Sequence, residues 1–182
     1  MKNLLTAFKL FLIMTLLTGV GYPLMITTYS YFMTPENANG SLKKVDGKFI
    51  GSILLSQKFQ EEKYFWPRPS AVDYNAASSG ASNLGPTSQA LRDLYQQRLG
   101  HEDANAVPQD LLFASGSGLD PHISPAAALF QVERVAKTRG IEFNQVRNLV
   151  NEFTEARQFG ILGEPRVNVL LLNLALDKIN LK

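Results

Sequence analysis

Apolar positions follow two patterns along the chain. From Leu10 to Phe32 they run for 23 positions in a stretch free of charge, whereas beyond Glu36 they recur in short periodic groups between turn signals. The first pattern predicts a membrane helix. A bilayer core needs about 20 apolar residues, and 23 residues at helical rise span about 35 Å. Tyr22, Tyr29, Tyr31 and Phe32 crowd its second half, as aromatics do near a membrane interface. Pro23 lacks a donor and crowds the Gly19 carbonyl, so a bend is expected there. Helix packing tolerates such Gly and Pro positions, which marks Gly19, Gly21 and Pro23 as candidate packing residues.

The second pattern predicts one α+β domain. Thr34–Ser41 is a polar connector, and Asp46-Gly47 between Leu42–Val45 and Lys48–Ile50 is a two-residue hairpin signal. Ile53-Leu54-Leu55 and Phe59 read as a short apolar helix. Pro67 and Pro69 exclude regular helix from Tyr64 to Ser70. Ser70–Ser88 is rich in Ala, Ser, Gly and Asn, but Tyr74, Asn75, Asn83 and Leu84 interrupt it, so an ordered loop is preferred to a linker.

A helix is expected from Pro86 to Leu99, ended by Gly100, then a polar connection and a buried strand at Leu111–Ala114. Ser115–Ile123 is a second irregular loop. Ser124 with Pro125 opens a helix whose face carries Ala128, Leu129, Val132, Val135 and Ala136 and which stops at Gly140. Asn144 caps another, with Val146, Leu149, Val150 and Phe153 inward. Phe159–Pro165 is a turn, and Val167–Leu176 fits strand or helix, with a helix from about Asn168 to Ile179 preferred. The expected division is 1–9 tail, 10–34 transmembrane helix, 35–41 connector and 42–182 extracytoplasmic domain.

Charge sharpens this picture. Of 18 basic residues only Lys2 and Lys9 precede the uncharged stretch, and all 16 acidic residues follow it, so the remainder is formally neutral. A nucleic-acid binder needs an excess of cations on its folded part, so no nucleic-acid partner is expected. A cleaved signal peptide ending near Gly19-Val20-Gly21 fits poorly, because the apolar run continues past the cut. Lys2 and Lys9 favour a cytoplasmic N-terminus, against Lys43, Lys44 and Lys48 on the other flank, and the large C-terminal segment favours export. The absence of cysteine excludes disulfides and thiolate chemistry.

Candidate chemistry is sparse. Phosphate-loop, zinc-helix and nucleophile-elbow motifs are missing from the sequence. Asp120 and His122 with Ser115 or Ser117 nearby offer a hydrolase alternative, weighed against a simple bracing of the loop; no third metal ligand is evident. Trp66 and Arg68 flank Pro67 on a rigid loop and suit an interface or a core cover. Thr18-Gly19-Val20-Gly21-Tyr22 looks like a potassium filter, but filters are non-helical loops from four repeats, so helix packing is the better reading.

Several long motifs carry a resemblance. Tyr64-Phe65-Trp66-Pro67-Arg68-Pro69-Ser70-Ala71, Tyr74-Asn75, Ser78–Ser88, Ala114–Ser124, Gln131-Val132 with Arg134-Val135-Ala136 and Arg139-Gly140, and Gly163–Val169 follow in one order over essentially the whole chain. Together they resemble the small C subunits, the KdpC family, of bacterial Kdp potassium-transporting P-type ATPases. That resemblance implies a non-catalytic accessory subunit of an ATP-driven potassium importer in the inner membrane. It implies a channel-like potassium-binding subunit, a P-type ATPase subunit and a small membrane peptide as partners, besides the lipid bilayer. It implies roles in assembly and stability, a domain near the potassium entrance, and a proposed chaperone effect raising the ATPase subunit's affinity for ATP. No cofactor is expected to bind directly, ATP entering through the ATPase subunit. Trp66, Arg68, Asn75, Asn83, Asp120 and His122 are then candidates for partner contact or loop organisation.

Overall fold

The computed structural model describes residues 2–179, and the last positions expected in the domain, 180–182, lie outside the described residues. The architecture is α+β: one long apolar helix, then a domain of helices with small antiparallel sheets. By compactness the chain divides into a unit ending at Ile50 and a unit starting at Gly51.

In the first unit, α1 (Lys2–Leu16), a π turn (Leu17–Gly21) and α2 (Tyr22–Met33) form a helix of 32 residues whose most apolar 18-residue stretch has mean hydropathy 1.9, long and apolar enough to cross a membrane. Its side chains bury nothing within the chain. The nine residues expected to be a tail are therefore helical from Lys2 on. Around Pro23 the structure has the π turn where a bend was expected: Tyr22 N–H reaches back to Leu17 O, and the wider turn falls where the proline ring crowds the preceding carbonyls. Thr18–Tyr22 is helical, as the packing reading requires. A four-residue helix α3 (Pro35–Ala38) lies in the connector. It leads to β1 (Leu42–Val45) and β2 (Lys48–Ser52), whose turn residues Asp46 and Gly47 have φ of 50° and 78°, as a type I′ hairpin needs.

The second unit is built on α6 (Pro125–Arg139), α7 (Phe143–Glu152) and α8 (Val169–Ile179). Val132, Val135, Val146, Val150, Leu172 and Leu176 meet with Phe65 and Ile123 in the main core. β3 (His122–Ile123), β4 (Thr154–Glu155) and β5 (Arg166–Asn168) form an antiparallel sheet ordered β3-β5-β4, with His122 opposite Asn168 and Val167 between Ile123 and Thr154. The Val167–Leu176 ambiguity resolves into both answers, strand to Asn168 and helix from Val169. Asn168 joins them, its Oδ1 accepting from Leu171 N at 3.1 Å while its Nδ2 donates to Ile53 O at 2.8 Å.

A smaller core of Leu99, Val107 and Leu112 lies between α4 (Gln89–Leu99) and α5 (Gln109–Leu112). The strand expected at Leu111–Ala114 is instead partly this single helical turn after Pro108; a four-residue apolar run fits either state. The helix expected at Ile53–Phe59 is absent. Leu54 N donates to Ser52 Oγ at 3.1 Å and Ser56 N to Leu119 O at 2.9 Å, which diverts the backbone from helical pairing. Ser124 caps α6 as expected, its Oγ accepting from Ala127 N at 3.2 Å. Leu129 faces solvent rather than the core, and buried Gln131 takes a place in the inward stripe. α7 starts at Phe143 after Glu142, so Asn144 lies inside it rather than capping it.

Candidate functional site: the proline loop and its clasps

The segment Tyr64–Ser70 has no regular backbone partner because its prolines prevent one, and side chains supply the missing hydrogen bonds. Asn173 on α8 brackets Phe65, accepting from its N–H at 2.9 Å and donating to its carbonyl at 3.0 Å. Gln131 on α6 treats Trp66 the same way, at 2.8 and 3.2 Å. Both amides are buried, so each satisfies backbone groups that would otherwise be stranded away from water.

Two arginines hold the preceding turn. Arg134 lies over the Trp66 ring, its guanidinium carbon 3.8 Å from the centroid, and donates to Glu62 O, to Tyr64 O and to Gln131 Oε1. Burial draws its pKa down to about 10 despite the nearby Glu62. Arg139, its side chain only 4% exposed, donates to Lys63 O and to Asp177 Oδ1, both at 2.7 Å. Tyr64 donates to the other Asp177 oxygen at 3.2 Å, and burial with the Asp177 charge raises its phenol pKa. Gln131, Arg134, Arg139, Asn173 and Asp177 are thus organising residues; the first three lie in motifs that carry the resemblance but had no role assigned, and Asn173 and Asp177 were not singled out. Their signal was polar character on an otherwise apolar helical face, clearest for Gln131 beside Val132 and for Asn173 among leucines.

The predicted residues sort as follows. Arg68 and His122 both meet Asp120: Arg68 Nη1 lies 3.2 Å from Oδ2, and Oδ1 accepts from His122 N at 3.0 Å with Nδ1 at 3.6 Å. Burial pushes the Asp120 carboxyl up, but the hydrogen bonds from His122 and Arg68 outweigh it and hold it below the usual carboxylate range. Ser117 Oγ accepts from Leu119 N at 3.1 Å, and among the described residues no serine hydroxyl is hydrogen-bonded to His122. The arrangement braces two loops: the pairing of His122 with Asp120 is present, and an activated nucleophile is not assembled on it. Groups of three or more metal-ligating side chains are also absent among the described residues.

Asn75 closes a local turn, its Oδ1 accepting from Ala77 N at 3.1 Å, and exposed Asn83 takes a left-handed φ of 52°. Ser70–Ser88 is an ordered loop clasped onto Ser115–Gly118. Ser70 donates to Gly118 O at 2.6 Å, Gly80 N to Ser117 O at 2.9 Å and Ser79 Oγ to Ser117 O at 3.1 Å. A Cβ on Gly118, whose φ is +69°, would come within 2.7 Å of Val72 and 2.8 Å of Gly80 O, so glycine is required there. Gly19, Gly21 and Pro23 lie on the span, where no side chain is buried.

The segment expected to be a turn, 159–165, is a hydrogen-bonded, ion-paired feature of its own. Gln158 and Leu162 pair across Phe159-Gly160-Ile161, and ion pairs Arg157–Glu164 at 2.6 Å and Arg166–Glu155 at 2.9 Å flank the base. Its tip is apolar and open, with Phe159 91%, Ile161 75% and Leu162 55% exposed.

A family model described as the c chain of K+-transporting ATPase matches residues 4–178. A potassium-transporting ATPase KdpC subunit from Rhodospirillum rubrum is 54% identical over 98% of this chain and 96% of its own. Proteins of the same name from Paraburkholderia phytofirmans (50%, 98% of each chain) and Methylococcus capsulatus (50%, 95% of this chain and 96% of its own) are similar throughout.

Proposed function

The chain belongs to the c-chain family of K+-transporting ATPases, and from that membership we propose that it is the subunit that assembles and steadies a potassium-importing pump without doing chemistry itself. The observation that carries this reading is the apolar tip Phe159–Leu162 on its ion-paired base. Apolar groups gathered at the end of a held turn, with Phe159 and Ile161 more exposed than any other large apolar side chain described in that unit, fit a contact with a partner. The P-type ATPase subunit, the channel-like subunit and the small membrane peptide are its proposed partners, and Gly19, Gly21 and Pro23 its proposed contacts within the bilayer.

In this reading the domain lies outside the cytoplasm near the potassium entrance and the amino terminus inside, as Lys2 and Lys9 before the apolar stretch favour. On that placement, an effect on ATP affinity runs through coupled conformations rather than contact with nucleotide. Trp66, stacked by Arg134 and partly open, offers a second contact surface of the kind enriched at interfaces.

The test is purification of the tagged full chain from gently solubilised membranes. A P-type ATPase and a channel-like subunit should come with it, and their absence sinks the reading. Hydrolysis by the chain alone that disappears in His122→Ala would replace it with the hydrolase alternative. Accessibility of a single cysteine at Lys137, in a chain with no other cysteine, to a membrane-impermeant maleimide on intact cells settles the side.

A further inference from the structure

The hairpin β1–β2 is short, open and oddly placed for a soluble structure. An isolated two-stranded hairpin is marginal in water and needs a surface to lie on. Its apolar residues Leu42, Val45, Phe49 and Ile50 are all exposed, Phe49 by 63%. Interleaved with them are Lys43, Lys44 and Lys48 against a single acid, Asp46. Lys44 Nζ sits 4.3 Å from the Phe49 ring centroid, so cation and aromatic are presented together.

The connector fixes where this hairpin can be. Thr34 N donates to Ser30 O at 2.9 Å, Ala38 N to Thr34 O at 2.9 Å and Ser41 N to Glu36 O at 2.8 Å. Ser41 Oγ adds a bond to Asn37 Oδ1 at 3.3 Å. This hydrogen-bonded run ties the end of the long helix, with its Tyr29, Tyr31 and Phe32, directly to Leu42 in the same compact unit. Aromatics of that kind settle at headgroup level, so the hairpin is delivered to the same depth.

We propose that the hairpin Leu42–Ile50 is an interfacial anchor that docks on anionic phospholipid headgroups, Lys43, Lys44 and Lys48 meeting phosphates while Phe49 and its apolar neighbours enter the headgroup boundary. Two observations select lipid over other occupants: continuity with the membrane helix, and a charge of one sign opposite to that of anionic lipid. The inference rests on residues 2–33 being a span. Each lysine near such a surface shifts the docked-to-free ratio by about fivefold, and salt screens the effect within about 10 Å.

The full cysteine-free chain carries a nitrobenzoxadiazole label on Phe49→Cys, or on Phe11→Cys within the helix, in vesicles of phosphatidylcholine alone or with phosphatidylglycerol. Doxyl-labelled lipids report depth. Expected is quenching of the Phe49→Cys label that is stronger with phosphatidylglycerol, falls with salt, and drops severalfold in Lys43→Gln/Lys44→Gln/Lys48→Gln. Quenching that ignores lipid charge, salt and the lysines overturns the headgroup claim. No quenching at Phe49→Cys while Phe11→Cys is quenched overturns the anchor and leaves the span standing. No quenching at either site overturns both.

Discussion

Two irregular segments of the second unit expose aromatic surface, yet they are held in opposite ways. Around Trp66, Asn173 and Gln131 satisfy the backbone, and Arg134 and Arg139 gather the carbonyls of Glu62, Lys63 and Tyr64 just before it. At Phe159–Leu162 the tip is left open among the described residues, and the ion pairs flank only its base. The first segment is ordered by desolvated polar groups whose loss leaves partners stranded; the second is free to be covered by another molecule. The contrast teaches that an exposed aromatic means different things depending on who satisfies its backbone.

The comparison can be broken most sharply at Asn173. Asn173→Ala strands the Phe65 amide and carbonyl in the core and should cost about 3 kcal/mol, with Gln131→Ala close behind. Denaturant unfolding of the full chain in detergent, read by the single tryptophan, Trp66, measures both; a cost below about 1 kcal/mol would mean the clasps are incidental. Arg139→Met removes the bonds to Lys63 and Asp177 while keeping the stem, and should cost about 2 kcal/mol by the same measure.

Asp120→Asn should cost about 1 kcal/mol at neutral pH and carries a pH signature. The folded carboxyl is held lower than its unfolded value of about 3.9. Its contribution is therefore fully present above that value and is lost as pH falls through the folded one. The variant should show a shallower decline of Tm below about pH 4. The smallest effect on stability sharpens the other side: Phe159→Asp with Ile161→Asp should change unfolding by less than about 0.5 kcal/mol yet sharply lower the yield of co-purified partner subunits. A large loss of stability there would show the tip to be part of the fold.

Much of this arrangement was legible from residue order. Ser124-Pro125, Asp46-Gly47 and Gly140 mark their boundaries by local chemistry, and the structure places them there. The preferred helix from about Asn168 to Ile179 stands as Val169–Ile179. Only the strand Arg166–Asn168 escaped, because three residues running straight into a helix have no period of their own and pair with Ile123 and Thr154 at long range. The loop clusters were legible as places but not as mechanisms. Asp120, His122 and Arg68 do meet, whereas Asn173 and Gln131 are polar positions on otherwise apolar helical faces whose purpose appears only in their bonds to Phe65 and Trp66. Helical periodicity registers the polarity of a side chain and is blind to a proline-rich segment lying 65 or 108 residues away in sequence.

The π turn at Leu17–Gly21 changes which faces the long apolar helix presents. One extra residue in a helical turn rotates everything beyond it by about 100° relative to an unbroken α-helix. Residues of α1 and α2 that an α-helical wheel would align on one stripe are therefore out of phase. The span offers its surroundings two separate faces, one above the glycines and one below, and a straight neighbouring helix can follow only one of them.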